Sequence, residues 1–209
     1  MVKVNFNEGV LQMKIELAAY NPAWKIQFQQ HKRKLENCFK NADIKIEHIG
    51  STSVEGLSAK PIIDILIGVP DEEDLPDVVS ALSGEPYIYK KVYDQALPFR
   101  RFFIGVREDV LDLYPNPVEV EGLTVSREHR IAHIHAVPVT HQWWEDHLLF
   151  RDHLRANPDD LNYYEETKIV LSEKEWESGN DYASAKSDCV MHILNKAKQL
   201  KTNQEEVSE

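Results

Sequence analysis

From Pro61 to Val69 the chain is an almost unbroken run of β-branched and aliphatic residues, interrupted by a single acid, Asp64. A strand of that kind has no polar face to offer water. It therefore has to lie inside a sheet covered on both sides, which requires a layered α/β arrangement rather than a bundle or a one-sided hairpin. The same run carries a chemical demand. A carboxylate in apolar surroundings is costly unless a cation, a metal or several hydrogen-bond donors meet it.

The flanking segments supply the other layers. Pro22 suits a first helical turn, and Trp24, Ile26, Phe28, Leu35 and Phe39 recur near helical spacing, which predicts an amphipathic helix over 22–40. Ile44–Ile49 alternates as a strand, and 71–83 reads as a helix ended by Gly84. Two further strands are expected at 87–92 and 100–106. They are followed by an excursion over 108–127 that contains the turn formers Pro115-Asn116-Pro117 and Glu121-Gly122. Arg130–Val137 alternates again. Helices are predicted over 141–156, 158–175 and 180–200, separated by Asn157-Pro158 and Gly179-Asn180. The expected fold is α+β: a mixed sheet flanked by helices, with a helical C-terminal portion, in one domain over 13–200. Residues 201–209 are expected to be a frayed polar tail. A chain of 209 residues suffices for one good core but not two. Residues 1–12 show no period, and a second methionine, Met13, opens the regular pattern. They are read as an N-terminal extension, with native translation expected at Met13.

Composition narrows the partners. A net charge of −11 leaves no excess of Lys and Arg to neutralise a nucleic acid backbone, so no nucleic acid partner is expected. A small phosphorylated ligand stays possible, since a pocket can be positive on an acidic surface. Cys38 and Cys189 belong to no motif and read as buried free thiols. The N-terminus has no apolar signal core, and no apolar stretch reaches the ~18 residues of a membrane span, so a cytoplasmic protein with no membrane partner is expected. P-loop, nucleophile-elbow and dinucleotide glycine motifs are all missing.

Three groups could carry chemistry. Gly50 allows a close backbone approach, and Ser51, Thr52 and Ser53 follow it at a potential helix start, a seat for phosphate. Thr52 and Glu55 also have the spacing of a capping box, which would give the same hydroxyls a purely structural use. Asp64 is the second group. The third is His133 with His135, two apart on a strand and so on one face, able with Asp64 to bind a divalent cation (Mg, Mn or Zn). One histidine packed in the core and one partly in solvent is the ordinary alternative. His141, His147 and His153 do not share a helical face and read as surface positions. Arg100 and Arg101 can reach an anion or simply snorkel at a strand edge. The aromatic set around Trp143, Trp144, Tyr164 and Tyr182 reads as helix packing.

His48-Ile49-Gly50-Ser51-Thr52-Ser53-Val54, then Gly56-Leu57, then Ala59-Lys60-Pro61-Ile62-Ile63-Asp64-Ile65 resembles the signature of the GrpB family. Arg130 with His133 and His135, Phe150 to Arg155, Tyr164 with Lys168, and Tyr182 with Lys186 resemble that family's later motifs in order. The resemblance implies a fold like that of polymerase-β-type nucleotidyltransferases, in which a Gly-Ser turn holds nucleotide phosphates and a D-x-[DE] pair holds metals. Gly50-Ser51 and Asp64 match; Leu66 stands where the second acid belongs, and Glu55 where the family more often has proline. The 108–127 excursion is longer than the family's usual length and could reshape a pocket.

The expected function is binding of a nucleotide or phosphorylated small molecule, with metal-dependent nucleotidyl transfer as the implied reaction. In that scheme Gly50, Ser51, Thr52 and Ser53 meet phosphate, Lys60 or Arg101 adds positive charge, Asp64 is catalytic, and Asp64, His133 and His135 hold metal. A non-catalytic ligand-binding domain and a single-metal hydrolase are the alternatives.

Overall fold

The computed structural model describes residues 13–39, 43–120 and 124–208, without the side chains of 204–208. The expected extension at 1–12 and the Glu121-Gly122 turn lie outside the described residues. Five strands form one mixed sheet: β1 (Lys45–Ile49), β2 (Ile63–Val69), β3 (Tyr87–Tyr89), β4 (Arg101–Val106) and β5 (Arg130–Pro138), in the spatial order β1-β2-β5-β4-β3. Only the β2–β5 pair is parallel; the other three are antiparallel. The apolar run of β2 thus occupies an interior position, as its composition requires.

Alternation sorts the sheet into two faces. Ile63, Ile65, Ile67, Ile134 and Phe103 point to one side and meet α1 (Ala23–Cys38) and α2 (Leu75–Ala81). Trp24, Phe28 and Leu35 of α1 are buried there; Ile26 is 62% exposed. Trp24, Phe28 and Leu35 are spaced by four and seven residues and make one stripe, while Ile26 falls off it.

The opposite side is covered in pieces. At one end Leu66 and Val137 pack under Trp144 of α3 (Gln142–Ala156), and a Cβ on Gly68 would stand 2.6 Å from the Trp144 ring, so glycine lets α3 approach. At the other end Val110, Val118 and Val125 of the excursion pack on Ile88, Ile104 and Val106. The long loop thus forms a lid over the β3–β4 end of the sheet. Val54 and Leu57 anchor the β1–β2 connection to Leu154, Tyr164, Cys189 and Ile193 of the C-terminal helices.

The expected strand over 87–92 stops at Tyr89, after which Lys91–Tyr93 forms a 3-10 turn. The helix expected over 180–200 is two helices, α5 (Gly179–Ala185) and α6 (Ser187–Ser208), following α4 (Pro158–Ser172). The last of these runs to Ser208, past the predicted frayed start at 201. Lys, Gln and Glu propagate a helix well once packing has nucleated it. His153, expected at the surface, is 6% exposed, with Nε2 2.6 Å from Asp160 of α4. Lys196 of α6 meets the other oxygen of that carboxylate. A long-range partner of this kind leaves no periodic trace. Among the described residues no helix is long and apolar enough to cross a membrane.

Ile65 is fully buried beneath α1 and α2. Replacing it by alanine is expected to destabilise the protein by about 2–5 kcal/mol. Urea unfolding should show a lower midpoint at unchanged slope.

Candidate functional site

Strand β1 ends at Ile49, and Gly50 turns the chain at φ +69°, a left-handed value that favours glycine. A Cβ on Gly50 would lie 2.3 Å from an Asp64 carboxylate oxygen and 2.9 Å from its Cβ. The glycine therefore lets the Gly-Ser turn sit directly against the acid. Ser51–Ser53 is one turn of 3-10 helix. The capping box does not form: the Thr52 hydroxyl meets Nε2 of His48 at 3.0 Å, and Glu55 is exposed. His48 stacks on Phe28, and burial pushes its pKa down to about 4. The turn is also held from outside, where Arg155 donates to the Ser53 carbonyl and Arg151 to the His48 carbonyl.

Asp64 lies on the side of β2 away from α1, in register with His133 of β5. His133 Nδ1 is 3.2 Å from Asp64 Oδ1, so the lone acid is met by an imidazole rather than by Lys60 or an arginine. His135 points to the same side, as its spacing predicts, but its Nδ1 faces the Arg100 guanidinium at 3.4 Å. Burial, then Arg100, hold His135 well below the usual histidine pKa. Leu66, the residue beside His135 in register, is fully buried under Trp144.

The expected three-ligand metal site is accordingly not assembled. Among the described residues no group of three or more His, Cys, Asp or Glu side chains converges. A guanidinium at His135 opposes a cation there, and a leucine fills the place of the second acid. The donor set present is one carboxylate and one imidazole, which does not fit a three-ligand cage.

What the fold does assemble is positive. A cavity of about 540 Å³ lies over the β2–β5–β4 face, walled by the hydroxyl turn, the excursion and the C-terminal helices. Six cationic residues line it: Lys60, Lys90, Arg100, Arg130, Lys168 and Lys186. Asp64 is the one acidic residue among the described lining. Lys168 is paired with Glu165 at 2.7 Å and Arg130 donates to the Val125 carbonyl. Burial lowers the pKa of all six, and like charges add to this for Lys60 (Lys186, Arg127 and Arg130), Lys90 (Arg130), Lys168 (Lys186) and Arg130 (Arg127). Arg100 Nε is buried with no hydrogen-bond partner among the described residues. Cations held close together and partly dehydrated are poised for a multiply charged anion.

Of the residues expected at this site, Ser51, Thr52, Lys60, Asp64, His133 and His135 line the cavity, and Gly50 packs on Asp64. Ser53 and Glu55 line a second cavity of about 570 Å³ behind the turn, with Thr52 between the two. Arg101 is elsewhere. It pairs with Ala136 and shares its face, with its guanidinium on the Pro98 carbonyl and 3.6 Å from Asp94. The adjacent Arg100 takes the role, because successive residues of a strand face opposite ways. Arg130, Lys168, Tyr182 and Lys186 had a visible signal in the later motifs quoted above; Lys90 had none.

Residues 14–196 match the family described as GrpB protein. A UPF0157 protein of Streptomyces coelicolor is 35% identical over 189 residues, spanning 90% of this chain and 87% of that one. The glutamate-rich protein GrpB of Alkalihalophilus pseudofirmus is 32% identical over 189 residues, 90% and 98% of the two chains. The crystal structure of the conserved protein GrpB from Enterococcus faecalis superposes with a TM-score of 0.69 at 27% identity, over 89% of this chain and 99% of that one.

His48 yields a pH prediction. Its folded pKa lies below the unfolded value, so between about 4 and 6.5 the unfolded state binds more protons and stability rises with pH. The contribution is complete above 6.5 and lost as pH falls towards 4. His48→Gln is expected to flatten this part of the stability–pH curve by about 3 kcal/mol, measured by urea unfolding at a series of pH values.

Proposed function

The chain belongs to the GrpB family, and from that premise and its cationic cavity we propose that it binds a phosphorylated small molecule, of which a nucleotide is the best-fitting kind. The observation that carries this is the charge inversion: among the described lining residues six cations stand against one carboxylate, in a protein whose net charge is −11. A neutral metabolite gives no reason for that concentration of positive charge, whereas a phosphate ester relieves it. The hydroxyls of Ser51 and Thr52 add neutral donors at the same wall. Tyr93, Phe102 and Tyr182 supply aromatic surface for an organic moiety, and the cavity volume suits a ligand of nucleotide size.

Within this scheme Asp64 orients His133 through Nδ1. The other imidazole nitrogen is then available to exchange a proton with a bound ligand. Nucleotidyl transfer is the finer possibility that the resemblance raises. Leu66 weighs against its two-metal form, because a buried aliphatic side chain cannot bridge metal ions. The support is therefore stronger for binding than for transfer.

Thermal unfolding in the presence of nucleoside mono-, di- and triphosphates and pyrophosphate tests the proposal. Stabilisation is expected from phosphorylated compounds, absent from the parent nucleosides, and weakened by salt. Lys186→Met is expected to weaken binding about tenfold or more, by removing one charge-assisted contact. If phosphorylation of the ligand makes no difference to the unfolding temperature, the proposal fails.

A further inference from the structure

Two of the lysines stand apart from the rest of the cationic wall. Lys60 Nζ lies 5.2 Å and Lys186 Nζ 4.7 Å from the centroid of the same ring, Tyr182, which is 1% exposed and so makes a fixed floor between them. Neither lysine forms an ion pair among the described residues. Lys168, the neighbouring ammonium on α4, is by contrast tied to Glu165. A lysine serving only to attract phosphate gains nothing from a second lysine on the same ring. The ring attracts each ammonium, but burial and the repulsion between two cations gathered on it favour loss of a proton from one of them.

Every charged group acting on Lys60 can be named. Burial first, then Lys186 between α5 and α6, with Arg127 and Arg130 at the head of β5, lower its pKa to about 8, and among the described residues Asp64 on β2 opposes them. Desolvation beside a second cation is the known means of turning a lysine into a nucleophile at ordinary pH. The cavity also supplies a proton relay, because His133 is held through Nδ1 by Asp64.

We propose that Lys60 is an amine nucleophile that condenses with the carbonyl group of a phosphorylated aldehyde or ketone held by the cationic wall. This rests on the phosphate-binding part of the proposed function, not on its nucleotide form, and adds a reactive group to it. The neutral amine nitrogen adds to the carbonyl carbon, and the resulting carbinolamine expels its oxygen as water. That water carries away the two amine hydrogens, and the carbon–nitrogen double bond of an imine remains. His133 passes the proton to the departing oxygen. The condensation uses no oxidant or reductant. Lys186 is a positioning residue whose charge favours the neutral amine of Lys60 over its ammonium form.

Pyridoxal 5′-phosphate followed by borohydride, which reduces an imine to a stable secondary amine, is the test on the full chain. Intact mass and peptide mapping are expected to place one addition on Lys60, formed roughly tenfold faster than on exposed lysines. The labelling rate should rise with pH through a midpoint near 8. Lys186→Met should move that midpoint upward, since a neighbouring cation has been removed, and Lys60→Arg should give no adduct in the cavity. An adduct confined to exposed lysines, or on Lys186 in place of Lys60, overturns the proposal, as does a midpoint unmoved by Lys186→Met. Pyridoxine 5′-phosphate, which has the phosphate but no aldehyde, separates the two levels. If it raises the unfolding temperature while Lys60 stays unlabelled, only the nucleophile is refuted. If neither compound binds, the phosphorylated-ligand proposal falls with it.

Discussion

The contact between Gly50 and Asp64 is the point on which the rest of this structure turns. An acid in the middle of a buried strand is tolerable only where the covering layer opens, and here the opening is made by the backbone itself. Gly50 adopts a left-handed conformation with no side chain, so the end of β1 lies against the carboxylate. The hydroxyl turn is thereby placed at the rim of the cavity. His133 on the neighbouring parallel strand supplies the partner that makes the carboxylate affordable.

The two faces of the sheet divide the work. One is sealed by α1 and α2 over aliphatic residues. The other is covered at both ends, by α3 and by the excursion, and left open between them. Helical segments α4 to α6 then bring lysines up to the gap. An acidic protein can in this way hold a strongly positive interior, because six cations are collected into it from strands, helices and the connections between them. Their mutual repulsion and dehydration are a cost to the empty fold that an anionic ligand offsets.

Thr52 and Tyr182 show how one residue can belong to structure and site together. Thr52 is buried, bonded to a neutral His48, and exposed on one side to the cavity. Tyr182 is a core aromatic by burial and the floor beneath two ammonium groups by position. Such double use is why the helix packing of Tyr182, legible from the sequence, leaves its place in the cavity unread.

Much of the architecture is legible in the residues alone. The unrelieved apolar run of β2 forces an interior strand, the alternation of β5 places both histidines on one side, and Gly50 marks the close approach. Periodicity and local turn chemistry suffice for these, since each depends on neighbours in sequence. The rest depends on residues far apart in the chain. Arg100 rather than Arg101 faces the cavity because the register of β4 against β5 decides which side each arginine takes. His135 faces a guanidinium because that register brings Arg100 beside it. The gathering of Lys60, Lys90, Lys168 and Lys186 around one space could not be read from their positions, since charge repulsion at a distance leaves no pattern along a sequence and only the closed tertiary structure brings those charges together.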